Sequence, residues 1–81
     1  MAMTKESLLR FMALQLGVET AGVDDDTPLF SSGLIDSAGM VDLIVHVETE
    51  AKLRFAPDDV TLDNLDSIGR ILRYAEARRA S

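Results

Sequence analysis

Cysteine and tryptophan are both absent from this chain of 81 residues, and histidine occurs once, as His46. Without cysteine the chain can form no disulfide bond, no thiolate metal site and no cysteine nucleophile. A single histidine also argues against a histidine-rich zinc site. The length suits one domain over residues 1–81, in which a deep active site would compete with the core for the same few residues. We therefore expect neither a metal site nor an enzyme.

Long apolar runs are missing as well. No stretch approaches the roughly 20 apolar residues that span a bilayer. The first six residues lack the basic-then-apolar order of a signal peptide. We expect no transmembrane segment and a cytoplasmic location.

Positive charge is missing from the middle of the chain. Between residues 11 and 51 there is no lysine or arginine but there are eight acidic residues, and the net charge of the chain is −6. An acidic surface repels phosphate backbones, so nucleic acid is a poor partner and a basic protein surface is a better one. Acids that merely keep a small domain soluble explain the same composition.

The spacing of apolar residues predicts helices at the start and in the middle of the chain. Residues 4–16 follow the helical period, with Thr4 as a plausible N-cap and Gly17 as a stop signal. Residues 37–52 form the second predicted helix, behind a good capping sequence. Their β-branched residues leave a strand over 41–47 as the competing interpretation.

A long connection separates these two helices. Residues 17–36 contain several glycines and acids, and connections of this length are usually functional or hold a short element. Asp26 or Thr27 could cap a single helical turn through residues 28–30.

The C-terminal part is predicted to end in a helix from about residue 66 to 79. Before it come an extended segment over 53–57, because a residue preceding proline avoids the helical region, and a short helix over 57–60. The fold expected is all-α, a four-helix bundle of three longer helices and one short helix with a long first loop. We expect Phe30 and Ile44 in its core.

Ser37 stands out because of its position. It follows Gly33-Leu34-Ile35-Asp36 and opens an apolar helix. A helix start presents unpaired backbone N–H groups and the positive end of the helix dipole, which together favour a phosphate group. The alternative is that Asp36 or Ser37 simply caps the helix, which is common.

The pattern Asp-x-x-Leu-Phe-x-x-Gly-Leu-Ile-Asp-Ser, from Asp26 to Ser37, resembles the attachment motif of acyl and peptidyl carrier proteins. The segments 41–44, 53–58 and 64–68 resemble the same family, so that the likeness covers nearly the whole chain. Fatty acid carriers of bacteria commonly read Gly-Ala-Asp-Ser-Leu-[Asp/Glu]. The sequence around Ser37 departs from that pattern and is more similar to D-alanyl and peptidyl carriers.

This resemblance implies a non-catalytic carrier with 4′-phosphopantetheine, taken from coenzyme A, on Ser37. Asp36 would orient the motif for the phosphopantetheinyl transferase that attaches the arm. That enzyme would supply the metal ion and the general base of the attachment reaction. The implied partners are that transferase, an adenylating enzyme that loads an acyl or aminoacyl group as a thioester, and downstream enzymes that accept it. The chain itself is expected to be a monomer. A small acidic helical adaptor without a prosthetic group is the alternative.

The second predicted helix carries more apolar residues than one buried stripe needs. We expect a partner surface beside Ser37 on this helix, with an apolar centre and an acidic rim. Its predicted members are Met40, Val41, Asp42, Val45 and Glu48.

Gly39, His46 and residues 24–26 each have a possible functional role and a simpler structural interpretation. Gly39 is either a chance residue at an exposed position or a point of close approach for a partner or the arm. His46 lies about 13–14 Å from Ser37 along a helix, too far to act as its base, and is expected at the surface. Residues 24–26 resemble part of a calcium loop, but Pro28 interrupts the ligand spacing, which favours a solvated turn.

Overall fold

Four helices build the fold in a computed structural model, which describes the backbone of residues 3–80 and the side chains of residues 3–78. They are α1 (Lys5–Gln15), α2 (Ser37–Ala51), α3 (Leu62–Leu65) and α4 (Ile68–Ala80). Residues 3–80 contain no strand, so the all-α prediction is confirmed and the strand alternative over 41–47 is wrong. Residues 1 and 2, which belong to the segment considered above for a signal peptide, lie outside the described range. Within that range, no helix is both long and apolar enough to cross a membrane.

Residues next to its ends determine where α1 begins and ends. Thr4 Oγ1 accepts a hydrogen bond from the Ser7 N–H at 3.1 Å, and Ser7 Oγ accepts one from the Thr4 N–H at 3.1 Å. This reciprocal capping box satisfies two of the N–H groups that a helix start leaves free. At the other end Gly17 adopts φ +67°, a conformation that glycine takes at little cost. The predicted start and stop of the first helix are confirmed.

The core gathers apolar side chains from all four helices and from the connection between α1 and α2. Leu29 and Leu43 are 0% and 1% exposed. The predicted core residues Phe30 and Ile44 are only partly buried and pack against this cluster from its edge. In α2 the buried side chains Leu43 and Val47 are four residues apart, and Ile44 lies one position, about 100°, around the helix from Leu43.

The helical turn predicted over residues 28–30 is wrong, because neighbouring side chains hold a different turn. Asp24 Oδ1 accepts hydrogen bonds from the Asp26 N–H at 2.9 Å and from Thr27 Oγ1 at 3.0 Å. Thr27 Oγ1 in turn accepts from the Asp24 N–H at 2.9 Å. Such side-chain-to-backbone bonds compete with helix formation. The N–H groups of residues 29–31 are bound elsewhere, as described below.

Two boundaries in the C-terminal part differ from the prediction. The short helix expected over 57–60 is a 3₁₀ turn, Pro57–Asp59, and the short α-helix is α3, a few residues later. The last helix begins at Ile68 and not at Asp66. Ser67 Oγ accepts from the Arg70 N–H at 3.1 Å at the start of α4, while the carboxylate of Asp66 binds the first connection. The extended segment before Pro57 is confirmed.

Candidate functional site

Asp36 and Ser37 form the beginning of α2. Asp36 is the N-cap, and its Oδ1 accepts a hydrogen bond from the Gly39 N–H at 2.8 Å. Ser37 is the first residue of the helix, and its side chain is exposed. Of the two residues, therefore, the aspartate performs the capping, and the serine hydroxyl is not needed for it.

The first turn of α2 fits a phosphate ester on Ser37. The carboxylate of Asp36 occupies the Gly39 N–H, whereas the N–H groups of Ser37 and Ala38 have no acceptor within the helix. A phosphate on the serine oxygen would lie beside these two donors, at the positive end of the helix dipole. The exposed hydroxyl can be esterified, and the two free donors favour the negative charge of a phosphodiester there.

The other serines that the structure describes are engaged within the chain. Ser67 is buried, at 4% exposure, and caps α4. The remaining hydroxyl groups donate to neighbouring oxygens: Ser7 Oγ to Thr4 O at 2.9 Å, Ser31 Oγ to Asp66 Oδ2 at 2.7 Å, and Ser32 Oγ to Pro28 O at 2.7 Å. Among the described serines, Ser37 alone is exposed with a hydroxyl that forms no hydrogen bond within the chain.

Asp66 ties the loop ahead of Ser37 to the junction of α3 and α4. Its Oδ1 accepts from the backbone N–H groups of Leu29 at 3.1 Å, Phe30 at 2.7 Å and Ser31 at 3.0 Å. Burial by itself raises the pKa of Asp66, but the bonds from the Ser31 hydroxyl and the three N–H groups outweigh it and leave the pKa below its ordinary value. The sequence analysis predicts only that the last helix begins near this residue. A partner 35 to 37 residues away leaves no local signal in the sequence.

Gly39 is buried, so of its two interpretations the chance residue at an exposed position is wrong. A Cβ atom there would lie 2.7 Å from Cγ2 of Ile35, which is itself 4% exposed. The close approach at Gly39 is therefore made by a neighbouring side chain of the same chain. Glycine lets the loop residue pack directly on the start of α2.

The predicted partner residues divide into exposed and partly buried positions. Val41 and Val45 are 61% and 55% exposed, and Asp42 is exposed beside them. Met40 is half-buried. Glu48 is also half-buried, and its Oε2 accepts a hydrogen bond from the Phe55 N–H at 2.8 Å. Glu48 thus holds the segment after α2 and is not a free acid at the rim.

His46 was predicted at the surface, and the structure places it half-buried. Its ring stacks on Phe11 of α1 with centroids 4.1 Å apart and 16° between the planes. Its Nε2 is buried and has no hydrogen-bond partner. His46 and Ser37 are nine positions apart on one continuous helix, so about 13–14 Å separate them along the axis. His46 cannot serve as the base for Ser37.

No group of three or more histidine, aspartate or glutamate side chains in the described part of the chain is arranged to hold a metal ion. In the acidic turn that resembled a calcium loop, the Asp24 carboxylate is instead bound to Asp26 and Thr27. These bonds hold its pKa below the ordinary value.

Known proteins are similar to this chain over most of its length. The family described as "Phosphopantetheine attachment site" matches residues 6–75. A D-alanyl carrier protein from Abiotrophia defectiva is 33% identical over 63 residues, covering 78% of this chain and 80% of the relative. The "Probable acyl carrier protein PigG" from Serratia sp. (strain ATCC 39006) is 27% identical over 79 residues, covering 96% and 91%.

Proteins of this family hold acyl or aminoacyl groups as thioesters on a 4′-phosphopantetheine arm. Phosphopantetheinyl transferases attach the arm, and separate loading and acceptor enzymes perform the chemistry. The chain thus belongs to the phosphopantetheine-dependent family of acyl and aminoacyl carrier proteins, and it is a carrier and not an enzyme.

Proposed function

We propose that Ser37 is the residue that carries the phosphopantetheine arm and that Asp36 positions it. One observation supports this assignment above the others. Ser37 is the described serine whose hydroxyl is both exposed and free of hydrogen bonds within the chain, at a helix start with two unpaired N–H groups. Asp36 caps the same turn through the Gly39 N–H and so holds the backbone around the serine.

The part that Ser37 plays is that of an acceptor. Its Oγ forms a bond to the phosphorus that carries the pantetheine of coenzyme A, while the P–O bond of the pyrophosphate breaks and adenosine 3′,5′-bisphosphate leaves. The hydroxyl proton passes to a base of the transferase, because His46 is too distant. The free N–H groups of the first turn then face the new phosphodiester. When bound, the arm supplies a terminal thiol that holds the cargo as a thioester.

We propose further that the cargo is a small aminoacyl or short acyl group, loaded by an adenylating enzyme. A cavity of about 250 Å³ beside the start of α2 has Asp36 and Asp42 among its lining residues. Carboxylates favour a cationic ammonium group and disfavour a long apolar chain. The relative named as a D-alanyl carrier protein points the same way.

The proposed setting is the cytoplasm, where coenzyme A is available for attachment of the arm. A net charge of −6 on a small domain opposes self-association and binding to nucleic acid, and so supports a monomer that meets protein partners.

The attachment site is tested by intact-mass analysis after incubation with coenzyme A and a transferase of broad specificity. We expect the unaltered chain to gain one phosphopantetheinyl group, Ser37→Ala to gain none, and the control Ser32→Ala to gain one. Equal gain in Ser37→Ala, or no gain in the unaltered chain, would show that the assignment is wrong.

The proposed partner surface has Val41 and Val45 at its centre and Asp42 at its rim, with Met40 and Glu48 at its edge. Exposed rim charges mainly steer encounter and set its salt dependence. Asp42→Lys should therefore slow loading and flatten the dependence of the loading rate on salt. Asp58→Lys, the same charge change in an exposed 3₁₀ turn, is the control and should leave both unchanged. Equal effects of the two changes would show that the net charge of the chain, and not a docking surface at Asp42, sets the loading rate.

A further inference from the structure

We infer that Gly39 is a positioning residue for attachment of the arm, because its missing side chain lets Ile35 fix the place of the serine. The inference rests on the proposed attachment at Ser37. Gly39 is buried, so it acts through its neighbours and not by contact with the arm. Its role differs from that of Asp36, which caps the helix through a side-chain oxygen.

Three parts of the chain meet at the Cα atom of Gly39. A Cβ atom there would lie 2.7 Å from Cγ2 of Ile35 in the loop, 3.4 Å from Oδ1 of Asp36 at the cap and 3.7 Å from Cδ1 of Leu16 at the end of α1. Non-bonded carbon atoms prefer a separation of about 3.5–4.0 Å. A side chain at position 39 would therefore collide with one of these three atoms only, the methyl carbon Cγ2 of Ile35.

Ile35 has little freedom to move away from such a side chain. It is 4% exposed within the core, and its N–H donates to the Leu29 carbonyl at 2.9 Å. Its Cγ2 is bonded directly to the branched Cβ, so the place of Cγ2 changes only with χ1 or with the backbone. Because β-branched side chains are stiff at χ1, relief of the contact would displace the backbone of Ile35.

A displaced backbone at Ile35 reaches Ser37 through the residue between them. Asp36 has an extended backbone, with φ −88° and ψ −175°, and its Oδ1 accepts from the Gly39 N–H at 2.8 Å. The shift required is about 1 Å, the difference between 2.7 Å and an ordinary carbon–carbon contact. A shift of that size at the cap distorts its hydrogen bond and moves the serine hydroxyl from its place at the helix start.

The place of this hydroxyl matters because Ser37 accepts a group that another protein holds. The transferase binds coenzyme A, so the serine oxygen has to approach the phosphorus in the correct geometry, and a misplacement of about 1 Å can cost about 100-fold in rate. Val41, Asp42 and Val45, at the centre and rim of the proposed partner surface, lie on later turns of α2 and stay in place. Gly39 therefore acts on the attachment step and not on docking of the transferase.

The test measures initial rates of attachment by intact mass, with coenzyme A and a transferase of broad specificity, at several concentrations of the chain. We expect Gly39→Ala to lower kcat by about 10- to 100-fold, with little change in the KM for the chain. Alanine is the better helix former, so the change does not weaken α2 itself. An unchanged kcat, or a change in KM alone, would overturn the proposal.

Val47→Ala is the control for lost stability. It truncates a fully buried side chain of α2 about 15 Å along the axis from Ser37, and it should leave kcat and KM unchanged while the chain is folded. Circular dichroism under the assay conditions checks the fold of each variant. A fall in kcat as large as that of Gly39→Ala would show that lost stability is the cause, and would overturn the proposal.

Two double variants identify the atom responsible. Valine at position 35 keeps Cγ2, whereas alanine lacks it. Ile35→Ala/Gly39→Ala should therefore recover most of the lost kcat, while Ile35→Val/Gly39→Ala should stay as slow as Gly39→Ala. Equal rates in the two double variants would show that the contact with Ile35 does not place the serine.

Single variants at position 35 decide the matter if Gly39→Ala is too unstable to assay. Ile35→Ala removes the methyl carbon that rests on Gly39 and should lower kcat, whereas Ile35→Val keeps it and should not; equal values would overturn the proposal. The unaltered chain separates the two levels. If it gains no arm, or if Ser37→Ala gains one, the proposed function fails; if attachment at Ser37 holds and Gly39→Ala has a normal kcat, only the role of Gly39 fails.

Discussion

The two connections that flank α2 are held in different ways. The first, residues 17–36, buries Leu29 and Ile35 at 0% and 4% exposure and is bound through several backbone N–H groups to Asp66. The second, residues 52–61, contains no buried residue. It is held at its edges by side chains from the neighbouring helices.

Polar and aromatic contacts replace burial in the second connection. Phe55 stacks on Tyr74 of α4 with centroids 4.8 Å apart, and Tyr74 Oη donates to Asp59 Oδ2 at 2.7 Å. Arg78 Nη2 donates to the Arg54 carbonyl at 2.9 Å. The connection that leads into Ser37 is therefore anchored by side chains in the core, whereas the connection after α2 is not. We therefore expect that loss of a surface contact in the connection after α2 leaves the start of the helix in place.

The largest expected effect comes from the buried anchor of the first connection. Leu29→Ala should lower the free energy of unfolding by about 2–5 kcal/mol, because it removes a fully buried side chain and leaves a cavity. Urea denaturation measures the loss. Leu14→Ala, at a position 73% exposed, is the control and should change it by less than about 0.5 kcal/mol. Similar losses in the two variants would contradict the assignment of Leu29 to the core.

A smaller effect is expected when the carboxylate bound to this connection is neutralised. Asp66→Asn should cost about 1.5–3 kcal/mol, the range for hydrogen bonds to a charged group. Asp63→Asn, whose side chain is 97% exposed, is the control and should cost little. Loading of Ser37 should also slow in Asp66→Asn, since the loop ahead of α2 is released.

The same carboxylate gives a dependence on pH with a definite sign. Because the pKa of Asp66 is lowered in the folded chain, its contribution is complete above the ordinary aspartate pKa of about 3.9 and is lost as pH falls through the folded value. The unfolding free energies of the unaltered chain and Asp66→Asn should therefore converge in acid. A constant difference down to the lowest pH at which the chain folds would show that the charge of Asp66 does not stabilise the loop.

The smallest effect is expected in the second connection. Tyr74→Phe keeps the ring stack but removes the hydrogen bond to Asp59, which should cost about 0.5–1.5 kcal/mol. Burial, with the hydrogen bond and charge of Asp59, raises the pKa of Tyr74. Its contribution is therefore complete below the ordinary tyrosine pKa of about 10 and is lost as pH rises through the folded value.

Urea denaturation at neutral and alkaline pH measures both effects of Tyr74→Phe. The difference from the unaltered chain should shrink in alkali. The loading rate of Ser37 should stay unchanged in Tyr74→Phe and fall in Asp66→Asn. A slower rate in Tyr74→Phe would mean that the two connections are coupled, contrary to the comparison.

Elements with local causes were predictable from the sequence. Both long N-terminal helices are found within one residue of the predicted ends, because capping groups and the apolar period act over a few residues. The short elements were misplaced. Residues 28–30 follow a suitable cap and begin with proline, but the turn bonds of Asp24 and the hydrogen bonds from residues 29–31 to Asp66 give them another conformation. Residues 57–59 form a 3₁₀ turn, and the short α-helix follows at Leu62–Leu65.

The motif ending at Ser37 was likewise readable from the sequence, whereas the surroundings of single residues were not. Gly39 and His46 were both expected near the surface and are buried or half-buried. Their neighbours are Ile35 in the first connection and Phe11 in α1. Sequence spacing within α2 contains no information about these contacts.

The sequence by itself determined the helical fold, the start of α2 and the family, because caps, periodicity and a contiguous motif are properties of neighbouring residues. Only the tertiary structure decided that Asp66 holds the loop before Ser37, that Glu48 is bound to Phe55, and that a groove forms between α1 and α2. These features join groups on different elements. Their energies depend on distances that exist only after the helices have packed.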